Sequence, residues 1–236
     1  GSGAIGGIVD VHTGRVPQVL PDQPFSGLGE GRFDDVADQR TGVARLDGAV
    51  GPVAWHADGF SRRLKDYDIP GFAESRALRA LEHDDDHDED HDHEHGDGAR
   101  GTLPNSDLDS RGAAFGMSLI GEQGFIGLSF SGLDSDYGLP GGTHAHAHGE
   151  DDENEAHEGH GEERGEQEES VRLDLRQRRW DLAAGLEDPF PNFSELNVRI
   201  GRNDYEHREL EGPGEVGTRY AVKAWEARFD AVHVPV

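Results

Sequence analysis

Residues 171–176 read Val-Arg-Leu-Asp-Leu-Arg, and residues 196–200 read Leu-Asn-Val-Arg-Ile. Apolar and polar side chains alternate in both stretches, and this period of two is typical of a β-strand with one apolar and one polar face. The polar face carries full charges, which the dry core of a β-sandwich excludes and which a water-filled lumen accommodates. The two stretches therefore favour antiparallel strands around a wet interior.

The same alternation recurs along the chain and predicts an all-β fold. In one of the strands the apolar parity slips near residues 177–180, so we expect a β-bulge there. In total we expect eight antiparallel, up-and-down strands, at about 27–35, 40–50, 53–65, 111–121, 124–136, 170–186, 193–209 and 218–233.

The connections between these strands fall into two length classes. Short turns are expected at residues 51–52, 121–124 and 187–192, and long connections at 66–110 and 138–169. Because the strands run up and down in order, the long connections share one side of the sheet and the short turns share the other. This asymmetry is typical of a transmembrane β-barrel with long external loops. We therefore predict a partial barrel over residues 25–236, surrounded by outer-membrane lipid.

Two runs rich in histidine and acidic residues lie within the long connections. Residues 82–98 hold five histidines and ten carboxylates, and residues 144–169 hold five histidines and eleven carboxylates. Such segments cannot build a hydrophobic core, so we expect two disordered loops. Imidazole and carboxylate together bind divalent cations. The candidate metal ligands are His83, His87, His91, His93, His95, His144, His146, His148, His157 and His160.

The spacing of these histidines is not that of a closed structural zinc site, so several weak and exchangeable sites are expected. The alternative is a solvated acidic linker with incidental histidines. Ten of the fourteen histidines of the chain fall in the two runs, which favours metal capture. By the same chemistry copper and nickel bind at least as well as zinc. Binding is expected to fade below about pH 6.5, as the imidazoles become protonated.

The net charge of −27 is concentrated in the two runs. Each run contributes −10, and the remaining 193 residues carry about −7. This distribution argues against nucleic acid as a partner, because phosphates are repelled, and favours cations. There is no cysteine, no apolar run long enough for a membrane-spanning helix, and no nucleophile-elbow, phosphate-loop or HExxH motif. No enzymatic activity is expected.

A second candidate site lies on one predicted strand. Strand parity places Tyr205, His207 and Glu209 on one face, which is the inward face if Val198 and Ile200 face lipid. His207 and Glu209 are i and i+2 neighbours, close enough to share one metal ion. The alternative is a hydrogen-bonded pair near the end of the strand.

Other polar and aromatic residues have more ordinary interpretations. His56 and Asp58 share a polar face, and a hydrogen-bonded pair facing the lumen is expected. Asp66 and Asp68 stand where the first long loop leaves its strand, and we expect a turn role for them. The three tryptophans suit either interfacial aromatic belts or ordinary packing: Trp55, Trp180 and Trp225.

Several segments resemble a known family. Residues 1–11 read Gly-Ser-Gly-Ala-Ile-Gly-Gly-Ile-Val-Asp-Val and resemble the end of the plug domain of TonB-dependent outer-membrane receptors. Residues 204–212 read Asp-Tyr-Glu-His-Arg-Glu-Leu-Glu-Gly and look like the zinc-uptake branch of that family. Further segments similar to that branch are residues 43–48, 55–60, 66–73 and 176–179.

The resemblance implies a barrel of about 22 strands closed by an N-terminal plug. Residues 1–24 are then the end of the plug and its link, and the whole chain is expected to be a fragment of the receptor. Zinc, or a related divalent metal, is implied as the transported substrate. The TonB complex is implied as a partner, through plug residues outside this chain. Two alternatives stay open: a soluble or surface β-protein that buffers metal, and a receptor for a metal chelate.

Overall fold

A computed structural model describes residues 13–77, 79, 99–140, 171–212 and 214–234. The described residues form ten β-strands. They are β1 (Phe25–Asp34), β2 (Gln39–Val50), β3 (Val53–Leu64), β4 (Tyr67–Phe72), β5 (Arg100–Leu103), β6 (Leu108–Gly121), β7 (Gly124–Gly138), β8 (Arg172–Phe190), β9 (Phe193–Gly212) and β10 (Glu215–His233).

Eight of these strands form one antiparallel up-and-down sheet in the order β1-β2-β3-β6-β7-β8-β9-β10. These are the eight strands predicted from the alternation. β1 and β10 are the two ends of this order, and no ladder joins them within the described residues. The all-β, up-and-down prediction is therefore confirmed.

The sequence prediction missed a small hairpin at the base of the first long connection. β4 and β5 pair antiparallel in a separate two-stranded sheet, with a register shift between Asp68 and Phe72. Pro70 and Gly71 fall inside β4, and Gly71 has a φ of 137°. An adjacent proline and glycine are typical of a loop, so the sequence pattern did not predict this strand.

The predicted bulge near residues 177–180 is wrong. β8 pairs with both of its neighbours without a register shift between Arg172 and Leu186, and the irregularity lies between Glu187 and Phe190. Leu175 and Leu182 are on opposite faces of a regular strand, because seven residues separate them. The parity slip therefore marks the point where the apolar side chains change faces.

One face of the main sheet, here called the apolar face, carries an exposed apolar band. Register places Met117, Leu128 and Ile200 in one row across the sheet, with 48%, 44% and 44% of each residue exposed. The next row toward the long connections contains four aromatic residues and is here called the aromatic row: Phe115, Phe130, Trp180 and Trp225. Directly beyond the aromatic row the apolar face becomes charged.

The opposite face is polar and carries the segment 13–24, here called the strap. The buried apolar residues of the described chain are few and mostly small: Ala37, Ala54, Leu64, Ala114 and Ala183. The sheet is therefore not folded around a conventional core of large apolar side chains. No helix within the described residues is both long enough and apolar enough to cross a membrane.

Candidate functional site

The two histidine- and acid-rich runs lie outside the described residues, as does the glycine-rich segment 1–11. Metal binding by their ten histidines therefore stays a prediction. Of the predicted ligands the structure describes His207 and Glu209. It also describes the residues on either side of each run, and these determine where the runs leave the fold.

The strand ends at the bases of the two long connections meet at one end of the main sheet, here called the loop end. Register places Leu64, Leu108, Tyr137 and Leu173 in one row across β3, β6, β7 and β8. The first run lies between β4 and β5, and the second between β7 and β8. Three short turns, at residues 51–52, 122–123 and 191–192, lie at the opposite end. This arrangement follows from the up-and-down order that the alternation predicted.

Side-chain to backbone hydrogen bonds fix the bases of both long connections. The Asp66 carboxylate accepts hydrogen bonds from the backbone N–H groups of Ser106, at 2.8 Å, and Asp107, at 3.1 Å. The Asn105 side-chain amide donates to the carbonyl oxygens of Leu139 and Val171, both at 2.8 Å. Asp66 therefore fixes the base of the first long connection through residues about forty positions away, which is a different role from the local turn that was expected.

Arg172 completes this junction. Its guanidinium donates two hydrogen bonds to the Asp107 carboxylate, at 2.7 and 2.9 Å, and also binds Asp136. The hydrogen bond from Arg172 is the main cause that lowers the pKa of Asp107 below its ordinary value. The paired charges join β6, β7 and β8 where the second connection begins and ends. They hold the two loop bases in a fixed relation.

His207 lies in an aromatic cluster on the strap face. Its Nδ1 is 3.2 Å from the Tyr205 hydroxyl, and its ring stacks on Tyr220 with 5.3 Å between the ring centroids. Glu209 is two residues further along the same face of β9. Among the described residues no group of three or more histidine, aspartate or glutamate side chains is placed to hold a metal ion. An ion shared by His207 and Glu209 stays a prediction, and it needs ligands from outside this group.

Two arginines, two aspartates and a histidine are linked by hydrogen bonds on the strap face and are here called the ion chain. His56 is 2% exposed and lies between two carboxylates, with Nδ1 2.7 Å from Asp47 and Nε2 2.9 Å from Asp58. Arg45 binds Asp47 at 2.8 Å, and Arg15 binds Asp58 through two nitrogens at 3.0 and 3.1 Å. The expected His56–Asp58 pair is present. It belongs to a longer ion chain that reaches the strap through Arg15.

The strap rests on small residues of the sheet. A Cβ added to Gly116 would lie 1.8 Å from the backbone oxygen of Arg15, and one added to Gly127 would lie 2.6 Å from a Val16 methyl group. Ser129 is directly opposite Gly116 in the neighbouring strand and is buried. Glycine and serine at these positions leave room for the strap backbone to approach the sheet. The ion chain then fixes its position along the sheet.

Sequence reasoning found His56 and Asp58 and missed Asp47 and Arg15. Asp58 is an i+2 neighbour of His56, which parity alone reveals. Asp47 becomes a neighbour through the β2–β3 register, and Arg15 through the path of the strap. No protein-family model matches this chain.

Proposed function

We propose that the chain is part of a TonB-dependent uptake receptor of the bacterial outer membrane that takes zinc, or a related divalent metal ion, as its substrate. One observation carries this proposal. The strand ends at the bases of the two connections that contain the histidine- and acid-rich runs meet at the same end of an up-and-down sheet that has one exposed apolar face. That arrangement fits two external loops that collect cations above a membrane-embedded wall.

The aromatic limit of the apolar band supports a wall that faces lipid. The band runs along β9 from Leu196 to Arg202, six residue steps that at about 3.4 Å per residue give roughly 20 Å along the strand. Strands of an outer-membrane barrel are tilted by about 35–45°, so this length covers roughly 15 Å of an apolar band that is about 25 Å tall and flanked by aromatic girdles. Trp180 and Trp225 lie at the upper limit of the band and are 47% and 76% exposed. This placement favours the interfacial-belt interpretation of these two tryptophans.

The charges of the strap face support a water-filled interior. Arg179 binds Asp181 at 2.9 Å and Glu226 at 2.7 Å, so the polar face continues from the His56 ion chain as far as β10. In the proposed receptor the strap is the end of the plug, held against the barrel wall by Arg15. β1 and β10 would then pair with further strands to close the barrel, because an unpaired strand edge is costly in lipid.

Metal uptake in this proposal proceeds in two stages. The acidic runs raise the local cation concentration, and their imidazoles and carboxylates bind the ion weakly enough to release it. An ordered site on the strap face then receives the ion, and His207 with Glu209 is the candidate on the described strands. The metal is the cargo of the receptor, and the protein's own residues supply capture, steering and release.

Isothermal titration calorimetry of the full chain with zinc chloride tests this function. We expect several exchangeable sites that disappear when the ten loop histidines are replaced by asparagine, a change that keeps the loop carboxylates. A matched variant replaces ten loop carboxylates with amides and keeps the histidines; it should weaken binding and retain the sites. If a metal chelate binds and free zinc does not, the proposal of a free-ion receptor is wrong. Zinc binding by a protein that does not enter membranes would instead favour a buffering role.

A further inference from the structure

The apolar face has a positively charged margin directly beyond the aromatic row. The margin is defined as the charged residues of the apolar face from the aromatic row to the row of Asp109, Asp136 and Asp174. The chain carries a net charge of −27, yet this margin has nine arginine and lysine residues against six acidic ones. The cations are Arg40, Arg63, Arg111, Arg176, Arg178, Arg202, Arg208, Arg219 and Lys223, and the acids are Asp109, Asp134, Asp136, Asp174, Asp204 and Glu206.

Most of the acids in this margin already have a cationic partner. Arg178 binds Asp134 at 2.8 Å, Arg63 binds Asp109 at 2.6 Å, and Arg219 binds Glu206 at 2.8 Å. Asp174 is bound by Arg208, and Asp136 by Arg172. The excess positive charge therefore lies on the cations that take no part in these pairs. Ion pairing within the margin does not cancel this excess.

Two of the cations with weak or no pairing lie in the aromatic row and in the next row toward the loop end. Arg202 is directly opposite both Trp180 and Trp225 in the register, and its side chain is 64% exposed. Its contact with Asp204 is long, at 3.5 Å. Lys223 is the residue opposite Asp204, is exposed, and makes no ion pair within the described part of the chain. Arg202 and Lys223 are diagonal neighbours, about 7–8 Å apart at Cα, within reach of one small anion.

The surface below this pair is apolar. Ile200 and Ala227 are opposite each other in the next row, and Val198 and Phe229 are opposite each other in the row after that. Ala227 lies between Trp225 and Phe229 on the same face of β10, and these two aromatic residues are 76% and 66% exposed. A ligand for this surface needs an anionic head at the height of Arg202 and apolar chains extending down the face.

We propose that Arg202 and Lys223, flanked by Trp180 and Trp225, bind the phosphate of an anionic lipid of the surrounding leaflet. Basic residues at a membrane interface attract anionic head groups, and tryptophan favours the same depth. The acyl chains of the lipid cover Ile200, Ala227 and Phe229. This inference rests on the proposed membrane function, since only a chain embedded in a bilayer presents this face to lipid.

Quenching of tryptophan fluorescence by brominated lipid tests the site directly, because two tryptophans border it. The full chain is refolded into phosphatidylcholine vesicles that contain brominated phosphatidylglycerol, or an equal fraction of brominated phosphatidylcholine. We expect stronger quenching by the anionic lipid. Each neutralised cation should reduce the preference for phosphatidylglycerol about fivefold, so the variant with both Arg202→Gln and Lys223→Gln should lose most of it.

Two control variants separate a charge effect from a structural one. Arg228→Gln removes a cation from the same strand on the strap face and should leave the preference unchanged. Arg202→Lys keeps the charge and should retain most of the preference. Equal quenching by the two lipids in the unaltered chain, or an unchanged preference in the double variant, contradicts the lipid site. Absence of quenching by either lipid contradicts membrane insertion itself, and with it the proposed function.

Discussion

Replacing His56 with alanine removes the centre of the ion chain that ties the strap to the sheet. Both ring nitrogens bind carboxylates, at 2.7 and 2.9 Å, and the residue is 2% exposed. The change deletes two hydrogen bonds to carboxylates and leaves Asp47 and Asp58 with Arg45 and Arg15 as their remaining partners. Each bond to a charged group contributes about 1.5–3 kcal/mol. The Asp47 and Asp58 side chains are 25% and 22% exposed, so water replaces part of the lost bonding.

We therefore expect His56→Ala to lower the free energy of unfolding by about 2–4 kcal/mol. The assay is equilibrium urea unfolding followed by tryptophan fluorescence, with the slope compared between variants so that a change in the midpoint reports stability alone. His233→Ala is the matched control, because His233 is exposed and packs edge-on against one ring, that of Phe193. If His56→Ala lowers the free energy of unfolding by less than about 0.5 kcal/mol, as the control does, then His56 does not have the stabilising role given to it here.

Three further predictions concern the strap and the loop bases. Asp58→Asn weakens the bond to Arg15, so trypsin should cleave after Arg15 several-fold faster than in the unaltered protein. Gly116→Ala places a methyl group 1.8 Å from the Arg15 carbonyl oxygen, and the strain should cost about 1–3 kcal/mol in urea unfolding and expose the same bond to trypsin. Arg172 lowers the pKa of Asp107 in the folded state. The pair therefore stabilises the protein above the unfolded pKa of about 3.9, and this contribution is lost as the pH falls through the lower folded value. Asp107→Asn should therefore make the free energy of unfolding fall less steeply with decreasing pH.

Two of these predictions have a matched control on the same sheet. Asp109→Asn removes a carboxylate from the apolar face and should leave trypsin cleavage after Arg15 unchanged. Gly132→Ala adds a methyl group whose nearest neighbour is a flexible arginine nitrogen at 3.4 Å, so it should be nearly neutral. Unchanged cleavage in both strap variants would show that Arg15 does not hold the strap. An acid limb identical in Asp107→Asn and the unaltered protein would contradict the role given to Arg172.

The main sheet was predictable because its signal is local. Apolar residues two apart, such as Val198 and Ile200, face one side of any strand, so the alternation alone identified all eight strands and their order. The same rule placed His207 and Glu209 on one face. The alternation does not reveal which residue of the next strand lies opposite a given residue. Asp47 therefore remained hidden as a partner of His56 until the register was known.

The two errors have separate physical causes. The expected bulge in β8 assumed that one face of a strand stays apolar along its whole length. Instead, the apolar face ends at Trp180, and beyond it Arg178 forms an ion pair with Asp134. The missed β4–β5 hairpin is short and interrupted by Pro70 and Gly71. Its two strands are held together by backbone hydrogen bonds, which residue propensities do not predict. The first error lies at the aromatic row and the second beyond the loop end, and the environment of the strands changes at both places.

Accumulation of radioactive zinc by zinc-starved cells is the most direct test of the central claim, which is that the two runs collect metal for an outer-membrane receptor. Cells carry either the unaltered protein or the variant in which the ten loop histidines are asparagine, at matched amounts in the outer membrane. We expect initial uptake from low zinc to fall at least several-fold in the variant and to recover when external zinc is raised. Equal initial uptake by both at low zinc would contradict it.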